Sequence, residues 1–298
     1  MTDIVFWLDQ YAQKPGRCGA MSAHTIRLLE IYLRRFAEES GYQGEEGNEL
    51  YRKFVLWLSG CTLAPSSKCT IANECASYFF HAQILDIEAK KLIQGRFFHA
   101  GSQYSQYDFG EDDAAQLISA CLQQDGSDFT RYRNAAMWCV LGVTGIRRGQ
   151  IISLRQQQAL RTEDAWCLTV PRLKSTSRDV DVKFVPHSRH FGENSVQEIM
   201  DKYMAIRAQV VTSDILFPNR DGRKLSENYL WREGKRLGAY LGLTHTNPHA
   251  FRHMAITRIA AEHGEMAAMV AASHSTVDST RKYINRNSPL INSINIYK

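Results

Sequence analysis

The chain lacks several features that would assign it to a class at once. Its 298 residues contain no stretch of about 18 consecutive apolar residues, so the sequence predicts no membrane-spanning helix. The first residues, MTDIVFWLDQYAQK, lack the basic start, apolar core and small-residue cleavage site of a secretory signal. No internal repeat or low-complexity tract is visible. We therefore expect a globular protein of the cytoplasm.

Clusters of metal ligands are also missing. Seven cysteines are scattered along the chain without a C-x-x-C pair: Cys18, Cys61, Cys69, Cys75, Cys121, Cys139 and Cys167. An odd, scattered set indicates buried or free thiols in a reducing cytosol rather than a metal site. No group of carboxylates or histidines has metal-ligand spacing, which disfavours a metal-dependent nuclease. We expect no metal and no cofactor.

Charge is unevenly distributed along the chain, whose formal net charge is +5. Residues 1–100 carry 11 basic and 11 acidic side chains, and residues 101–113 add four acidic ones and no base. Residues 114–298 carry 25 basic and 16 acidic side chains. A basic C-terminal part of this size suits a polyanion such as DNA, although many basic surfaces bind none.

Hydrophobic periodicity predicts a mainly α protein (α+β) with two domains. A helical domain is predicted over 1–100, with helices at 22–40, 48–60 and 68–94, Asn48 as a cap and a loop at 60–68. Residues 101–112 predict a linker. The domain 113–298 is predicted to be mostly helical, with a small antiparallel sheet formed by AWCLTV and VDVKFVP. Within it, DFTRYRNAAMWCVLGV predicts a buried helix, a helix restarts after Gly145, and only helices follow Pro186.

The stretch NPHAFRHMAIT predicts the beginning of a helix. Pro248 suits the first helical position, and Asn247 or Thr246 can cap it. His249 and Arg252 are three residues apart and share one face at the positive end of the helix. Helix N-termini bind phosphate, so an imidazole and a guanidinium at this place indicate a phosphate site.

Three further features of the same domain need a common explanation. Arg147 follows a Thr-Gly break in TGIRRGQ, Lys174 lies in the turn between the two strands, and His274 precedes Tyr283 by nine residues. Each residue alone has an ordinary structural explanation on a protein surface. His253 is better explained as a core or hydrogen-bonded histidine than as a catalyst. The joint order of the others is what indicates a site.

In that order and spacing the chain resembles the tyrosine recombinases of the phage integrase and Xer type. Their signature runs T-G-x-R-x-x-E, a hairpin lysine, H-x-x-R-H, G-H-S and a tyrosine nine residues after that histidine. Here the corresponding stretches are TGIRRGQ, Lys174, HAFRH, SHS and Tyr283. The resemblance covers about residues 113–285, and residues 1–100 match only in helical character. Gln150 replaces the acidic residue, Ser273 the glycine, and Met254 a common threonine, and none of these changes removes a catalytic group.

The resemblance implies a catalytic set of six residues: Arg147, Lys174, His249, Arg252, His274 and Tyr283. The two guanidinium groups would hold the non-bridging oxygens of a phosphodiester, and the histidines would add hydrogen bonds. His249 is the better candidate to accept the phenolic proton, and Lys174 would protonate the departing 5′ oxygen. Tyr283 would form a covalent 3′-phosphotyrosine bond that conserves the energy for rejoining, so that neither ATP nor a metal is required.

The same resemblance implies partners. We expect duplex DNA with a specific crossover site, clamped by both domains. We also expect a tetramer that exchanges strands through a Holliday junction in integration, excision, resolution or inversion. The tail NSPLINSINIYK carries apolar side chains that would pack on their own domain or dock in a neighbouring protomer. Candidate phosphate contacts, chosen from charge and position, are Arg131, Arg133, Arg172, Arg178, Lys224 and Lys235.

Two other activities remain compatible with these motifs. A type IB topoisomerase uses the same Arg, Lys, His and Tyr chemistry and relaxes one duplex without synapsis. A DNA-binding regulator would keep the fold and lose the activity. All six catalytic groups are present here, which favours the recombinase.

Overall fold

The computed structural model describes residues 5, 8–13, 23–82, 108–171, 180–274 and 276–284. These residues form two compact units. The first contains the described residues up to 82, and the second contains those from 108 onward. The described part is mainly helical with a small antiparallel sheet, as predicted. The first unit contains the helices α1 (Leu8–Gln13), α2 (Ala23–Glu39), α3 (Gly47–Gly60) and α4 (Pro65–His81).

The core of the first unit consists of apolar side chains at helical spacing. Leu29, Leu33 and Phe36 form one fully buried face of α2. Phe54 of α3 packs edge-to-face on Phe36, with ring centroids 5.3 Å apart, and on a phenylalanine of α4 at 5.9 Å. Such aromatic pairs add about 0.5–1.5 kcal/mol each beyond the area that they bury.

Two boundaries in the first unit differ from the prediction. Asn48 is not a cap, because α3 begins at Gly47 and Glu46 holds the N-cap position. The fourth helix begins at Pro65, inside the predicted loop, since proline at a first helical position has no N–H that needs a partner. Residues 83–100, including the rest of the third predicted helix, lie outside the described residues.

The second unit contains seven α-helices, one short 3-10 helix (Gln156–Gln158) and five strands among its described residues. The helices are α5 (Glu111–Gln123), α6 (Asp128–Thr144), α7 (Arg148–Ile151), α8 (Val196–Val210), α9 (Tyr229–Leu241), α10 (Pro248–Ala271) and α11 (Val277–Arg281). The strands are β1 (Ala159–Arg161), β2 (Ala165–Pro171), β3 (Val180–Pro186), β4 (His190–Phe191) and β5 (Asn194–Ser195). Strands β1, β2 and β3 form one antiparallel sheet in that order, and β4 pairs with β5.

Helix α6 is the centre of the second unit. All its residues from Arg133 to Thr144 are buried, and it packs against α5, α8 and α10. Trp138 contacts Phe251 of α10 with ring centroids 4.6 Å apart. The predicted buried helix is thus confirmed. It supports α10, the helix that carries the predicted H-x-x-R-H motif.

Two predictions about this unit need correction. Residues 101–107 of the predicted linker lie outside the described residues, and α5 already begins at Glu111. The early start is stabilised by Asp113, whose carboxylate accepts a hydrogen bond from the Gly110 N–H at 2.8 Å. The chain beyond Pro186 is not wholly helical, because β4 and β5 form a short hairpin before α8.

Strand β3 is oriented against its own hydrophobic pattern. Val180, Val182 and Phe184 are exposed by 51–59%, whereas Asp181 and Lys183 between them are buried. Fully burying an aliphatic or aromatic side chain contributes about 1.5–3 kcal/mol, and removing a charge from water is unfavourable. Register with β2 places Val170 opposite Asp181 and Leu168 opposite Lys183, so the two charges join the protein-facing side of the sheet.

Cysteines and membrane spans can be checked over the described segments only. All six cysteines in these segments are free thiols, and Cys18 lies outside them. No helix in the described part of the chain combines the length and the apolar character needed to cross a membrane.

Candidate active site

A cleft of about 350 Å³ opens at the N-terminal end of α10. It is lined by residues from four separate parts of the second unit: Arg147, Arg148, Gly149, Trp231, Asn247, Pro248, His249, Arg252 and Tyr283. Four of the six residues predicted to be catalytic therefore border one cavity. His274 lies directly behind it, in hydrogen-bond contact with Arg252.

The start of α10 is held in place by two glycines of α9. A Cβ atom on Gly234 would lie 1.9 Å from the Thr246 carbonyl oxygen, and one on Gly238 would lie 2.0 Å from the Thr246 hydroxyl. Only glycine allows this close approach, which fixes the segment immediately before the helix. Asn247 then caps α10, since its side-chain oxygen accepts hydrogen bonds from the N–H groups of His249 and Ala250.

This cap changes one detail of the predicted phosphate site. The N–H groups in the first turn of α10 that have no partner within the helix are already bonded to the Asn247 side chain, so they are not available to a phosphate. The helix contributes its positive N-terminal field and the side chains of its first turn instead.

Arg252 is buried in the wall of the cleft, with 3% of its surface exposed. Its guanidinium donates to the Gly145 carbonyl, to the Ala272 carbonyl at 2.7 Å, and to His274 Nε2 at 2.9 Å. Its Cζ lies 5.2 Å from the centre of the Tyr283 ring. Burial and the nearby charge of Arg147 lower the pKa of Arg252, but an arginine remains charged at neutral pH. The side chain is thus a fixed positive charge beside the phenol.

Arg147 reaches the cleft because α6 ends at a left-handed residue. Gly145 has φ 62° and ψ 20°, and its N–H donates to the Leu141 carbonyl at the end of the helix. The chain then turns, and Arg147 precedes the short helix α7. The Gln150 side chain accepts from the Arg147 N–H at 3.0 Å and donates to the Pro171 carbonyl at 3.0 Å.

Gln150 explains one departure from the family signature in physical terms. It is 4% exposed, and its amide supplies both an acceptor and a donor to backbone groups. A carboxylate could supply only the acceptor. The neutral amide is therefore suited to these two partners, and it connects the Arg147 turn to the end of β2.

His274 is oriented by hydrogen bonds on both ring nitrogens. Nε2 contacts Arg252, and Nδ1 lies 3.0 Å from the Thr280 hydroxyl. The pKa of His274 is lowered to about 4, mainly by burial of the ring and then by the charges of Arg252, Arg147 and Lys183. The neutral ring can then accept the hydrogen bond from Arg252.

Tyr283 lies among the histidines of the site. Its ring stacks on His253 with centroids 4.4 Å apart, and it lies 5.2 Å from His249 and 4.9 Å from His274. His253 Nδ1 and the Thr257 hydroxyl also bond to the Tyr283 carbonyl, each at 3.1 Å. His253 is 7% exposed, in agreement with its predicted structural role, and it supports the tyrosine from below.

His249 lies at the mouth of the cleft and is exposed. Neighbouring groups nevertheless exclude part of the water around its ring, and this desolvation, followed by the charge of Arg252, lowers its pKa. At neutral pH the imidazole is therefore uncharged and can accept a proton.

The predicted residues fall into three groups. Arg147, His249, Arg252, His274 and Tyr283 lie together, whereas Lys174, Arg172 and Arg178 lie outside the described residues. Among the candidate phosphate contacts, Lys224 and Lys235 are exposed, and Arg131 pairs with an aspartate on its own helix.

Arg133 must be removed from the candidate phosphate contacts. It is 3% exposed, and its guanidinium donates to the Pro218 carbonyl at 3.0 Å and to the Tyr229 hydroxyl at 2.5 Å. These partners place the charge inside the unit, where it links α6 to Pro218 and to Tyr229, the first residue of α9.

Two residues of the site were missed from the sequence, namely Asp181 and Lys183. Lys183 Nζ donates to the Ala271 carbonyl at 2.6 Å and to the Ser273 hydroxyl at 3.1 Å. The Ser273 hydroxyl in turn donates to Asp181. The strand VDVKF alternates apolar and charged residues, which normally indicates that the charges face water, so no sequence signal pointed to them.

Comparison with known proteins identifies the family and several similar folds. The model of the Phage integrase family matches residues 108–288. The Tn1549 transposon integrase in complex with transposon right end DNA has a TM-score of 0.70 and 14% identity, over 100% of this chain and 99% of that one. XerH site-specific recombinase bound to a palindromic difH substrate has a TM-score of 0.69 and 16% identity, over 91% and 79%. A lambda integrase dimer bound to a COC′ core site has a TM-score of 0.64 and 14% identity, over 94% and 95%.

At these identities the solved structures establish the fold. None of the curated proteins compared by sequence matches the chain. The family model, however, spans well over half of the residues. The chain belongs to the phage integrase family of tyrosine recombinases, enzymes of site-specific DNA recombination.

Proposed function

We propose that this chain cleaves and rejoins duplex DNA at a specific crossover site through a 3′-phosphotyrosine intermediate, without a metal or ATP. One observation carries the proposal. The Tyr283 ring lies beside the buried guanidinium of Arg252, in a cleft that also contains Arg147 and His249. A nucleophile, two positive charges and an uncharged imidazole are the groups that phosphoryl transfer to a phenol requires.

The proposed reaction uses these groups together with the predicted acid, Lys174. The two guanidinium groups bind the non-bridging oxygens, whose charge increases in the pentacoordinate transition state. The Tyr283 oxygen attacks phosphorus as its proton passes to His249, and the bond from phosphorus to the 5′ oxygen breaks. The electron pair of that bond goes to the 5′ oxygen, which takes a proton from Lys174. Losing one preorganised donor, such as Arg147, is expected to slow cleavage by ~10²–10³-fold.

The substrate and the assembly extend the proposal. The Tn1549 integrase, XerH and lambda integrase structures contain DNA, and the same chemistry on this chain calls for duplex DNA. Four protomers and a Holliday junction would complete an exchange between two duplexes. The helical domain 1–100 would close the clamp, and residues 285–298, which lie outside the described residues, would dock in a neighbouring protomer. Such a protein would act in the cytoplasm, at the nucleoid.

A nicked suicide substrate tests the chemistry. Such DNA loses a short fragment on cleavage, so the covalent protein–DNA complex cannot rejoin and accumulates. We expect a slow-migrating complex with the wild-type chain and none with Tyr283→Phe, in buffer containing a chelator and no nucleotide. Cleavage that relaxes a single duplex but never exchanges strands would favour the topoisomerase. DNA binding without any adduct would favour the regulator.

A further inference from the structure

The turn between α10 and His274 is held by charged residues from the sheet. Ser273 has φ 53°, a left-handed conformation that a residue other than glycine rarely adopts. Its hydroxyl bonds to both Asp181 and Lys183, and these two side chains are 9% and 7% exposed. Lys183 Nζ and the Asp181 carboxylate are 3.7 Å apart, so the three groups form one buried network.

This network contacts the backbone that orients the catalytic side chains. Lys183 binds the Ala271 carbonyl, and the next carbonyl, that of Ala272, accepts from Arg252. His274 follows Ser273 directly and bonds to the same guanidinium. A rotation of this turn would therefore move two of the three hydrogen-bond partners of Arg252 together, the Ala272 carbonyl and His274.

We propose that Asp181, Lys183 and Ser273 form a positioning triad that fixes the turn before His274 and thereby the orientation of Arg252. The inference rests on the proposed function for its effect on cleavage. It also explains why β3 exposes its apolar side chains, since the opposite orientation would carry both charges away from the turn. The serine that replaces the family's glycine is then a hydrogen-bond partner of both charged side chains, and the replacement is not without effect.

Lys183 also contributes to the electrostatic surroundings of His274, after burial, Arg252 and Arg147. The charged groups that act on the ring are Arg252 on α10, Arg147 before α7 and Lys183 on β3, which is itself 3.7 Å from the Asp181 carboxylate, and the ring contacts that of Tyr283 after α11. Lys183 is one of the charges that disfavour the protonated imidazole. Replacing Lys183 by a neutral residue should therefore raise the pKa of His274, so that cleavage begins to fail at a higher pH on the acidic side.

Single-turnover cleavage at saturating DNA tests the triad. We expect Lys183→Met to slow cleavage at least tenfold while its Kd for DNA stays within about twofold of wild type. On the acidic side of the pH–rate profile, its cleavage rate should begin to fall at a higher pH than that of wild type. Lys183→Arg, which keeps charge and donors, should recover part of the rate. Lys202→Met, an exposed lysine on α8, is the matched control and should leave rate and pH profile unchanged. Ser273→Gly suits the left-handed turn, so it should fold and still cleave severalfold more slowly.

Two further measurements separate the alternatives. A substrate with sulfur in place of the leaving 5′ oxygen needs no proton donor, so it should restore Lys174→Ala but not Lys183→Met. Full restoration of Lys183→Met would make Lys183 the acid and overturn the positioning role. An NMR titration of His274 in the DNA-free protein needs no activity, so it tests the triad even if the wild type forms no adduct. An unchanged His274 titration in Lys183→Met, or wild-type cleavage by both Lys183→Met and Ser273→Gly, would also overturn it.

Discussion

Replacing Gly145 by alanine should destabilise the second unit without a steric clash. A Cβ atom there would lie 3.4 Å from Ile256, 3.5 Å from Ala255 and 3.8 Å from the Arg252 carbonyl, which are ordinary contact distances. The penalty is conformational, because φ is 62° and an L-residue in that region costs about 1–2 kcal/mol. For a unit of this size that corresponds to a fall in Tm of about 2–8 °C.

The same substitution should have little effect on catalysis while the unit is folded. The Gly145 carbonyl, which accepts from Arg252, is a backbone group that alanine retains. We would measure thermal unfolding and, well below the melting temperature, single-turnover cleavage. Asparagine tolerates the left-handed region better than alanine, so Gly145→Asn should lose clearly less stability. Equal stability of wild type and Gly145→Ala, or a larger loss for asparagine, would refute the conformational argument.

Three other predictions follow from buried groups and exposed charge. Gln150→Glu should lower the free energy of unfolding by about 1–3 kcal/mol at neutral pH, because a carboxylate would face the Pro171 carbonyl. The loss should be smaller in acid, where the protonated carboxyl group can donate a hydrogen bond. Denaturant titration at two pH values checks this. Burial and a neighbouring histidine lower the pKa of His253 from 6.5 to about 4. Because the unfolded chain then binds a proton at a higher pH than the folded chain, the free energy of unfolding should fall by at most about 3 kcal/mol as the pH drops from 6.5 towards 4. His253→Gln should flatten that part of the stability profile, and an unchanged slope would contradict the assignment. Lys224→Ala and Lys235→Ala should each reduce the salt dependence of DNA binding by about one counterion, and a slope equal to wild type would remove that lysine from the interface.

Local signals in the sequence predicted the backbone around the candidate site. The Thr-Gly break before Arg147 corresponds to a left-handed helix end, and the Asn-Pro pair before His249 corresponds to a capped helix start. These are short-range effects, in which a few neighbouring residues determine the backbone. The order of the motifs then groups Arg252, His274 and Tyr283 in one family signature.

Long-range effects could not be predicted in the same way. Alternation in VDVKF indicates a half-buried strand but not which face is inside, and here the charged face is buried because Lys183 has partners more than 80 residues away. The net charge of the sequence likewise does not show which basic side chains are buried. Four buried basic side chains of the second unit, Arg133, Lys183, Arg207 and Arg258, bond to internal groups rather than to a polyanion. Sequence counts of charge therefore overstate the basic surface.

Mapping the covalent bond tests the central claim most directly. The wild-type chain is incubated with a nicked suicide substrate, the complex is digested with protease and nuclease, and the nucleotide-bearing peptide is sequenced by mass spectrometry. The account predicts a single modified residue, Tyr283, attached to a 3′ phosphate. A 3′-phosphoryl link at any other residue, or cleavage with a free phosphate and no peptide attached, would contradict it.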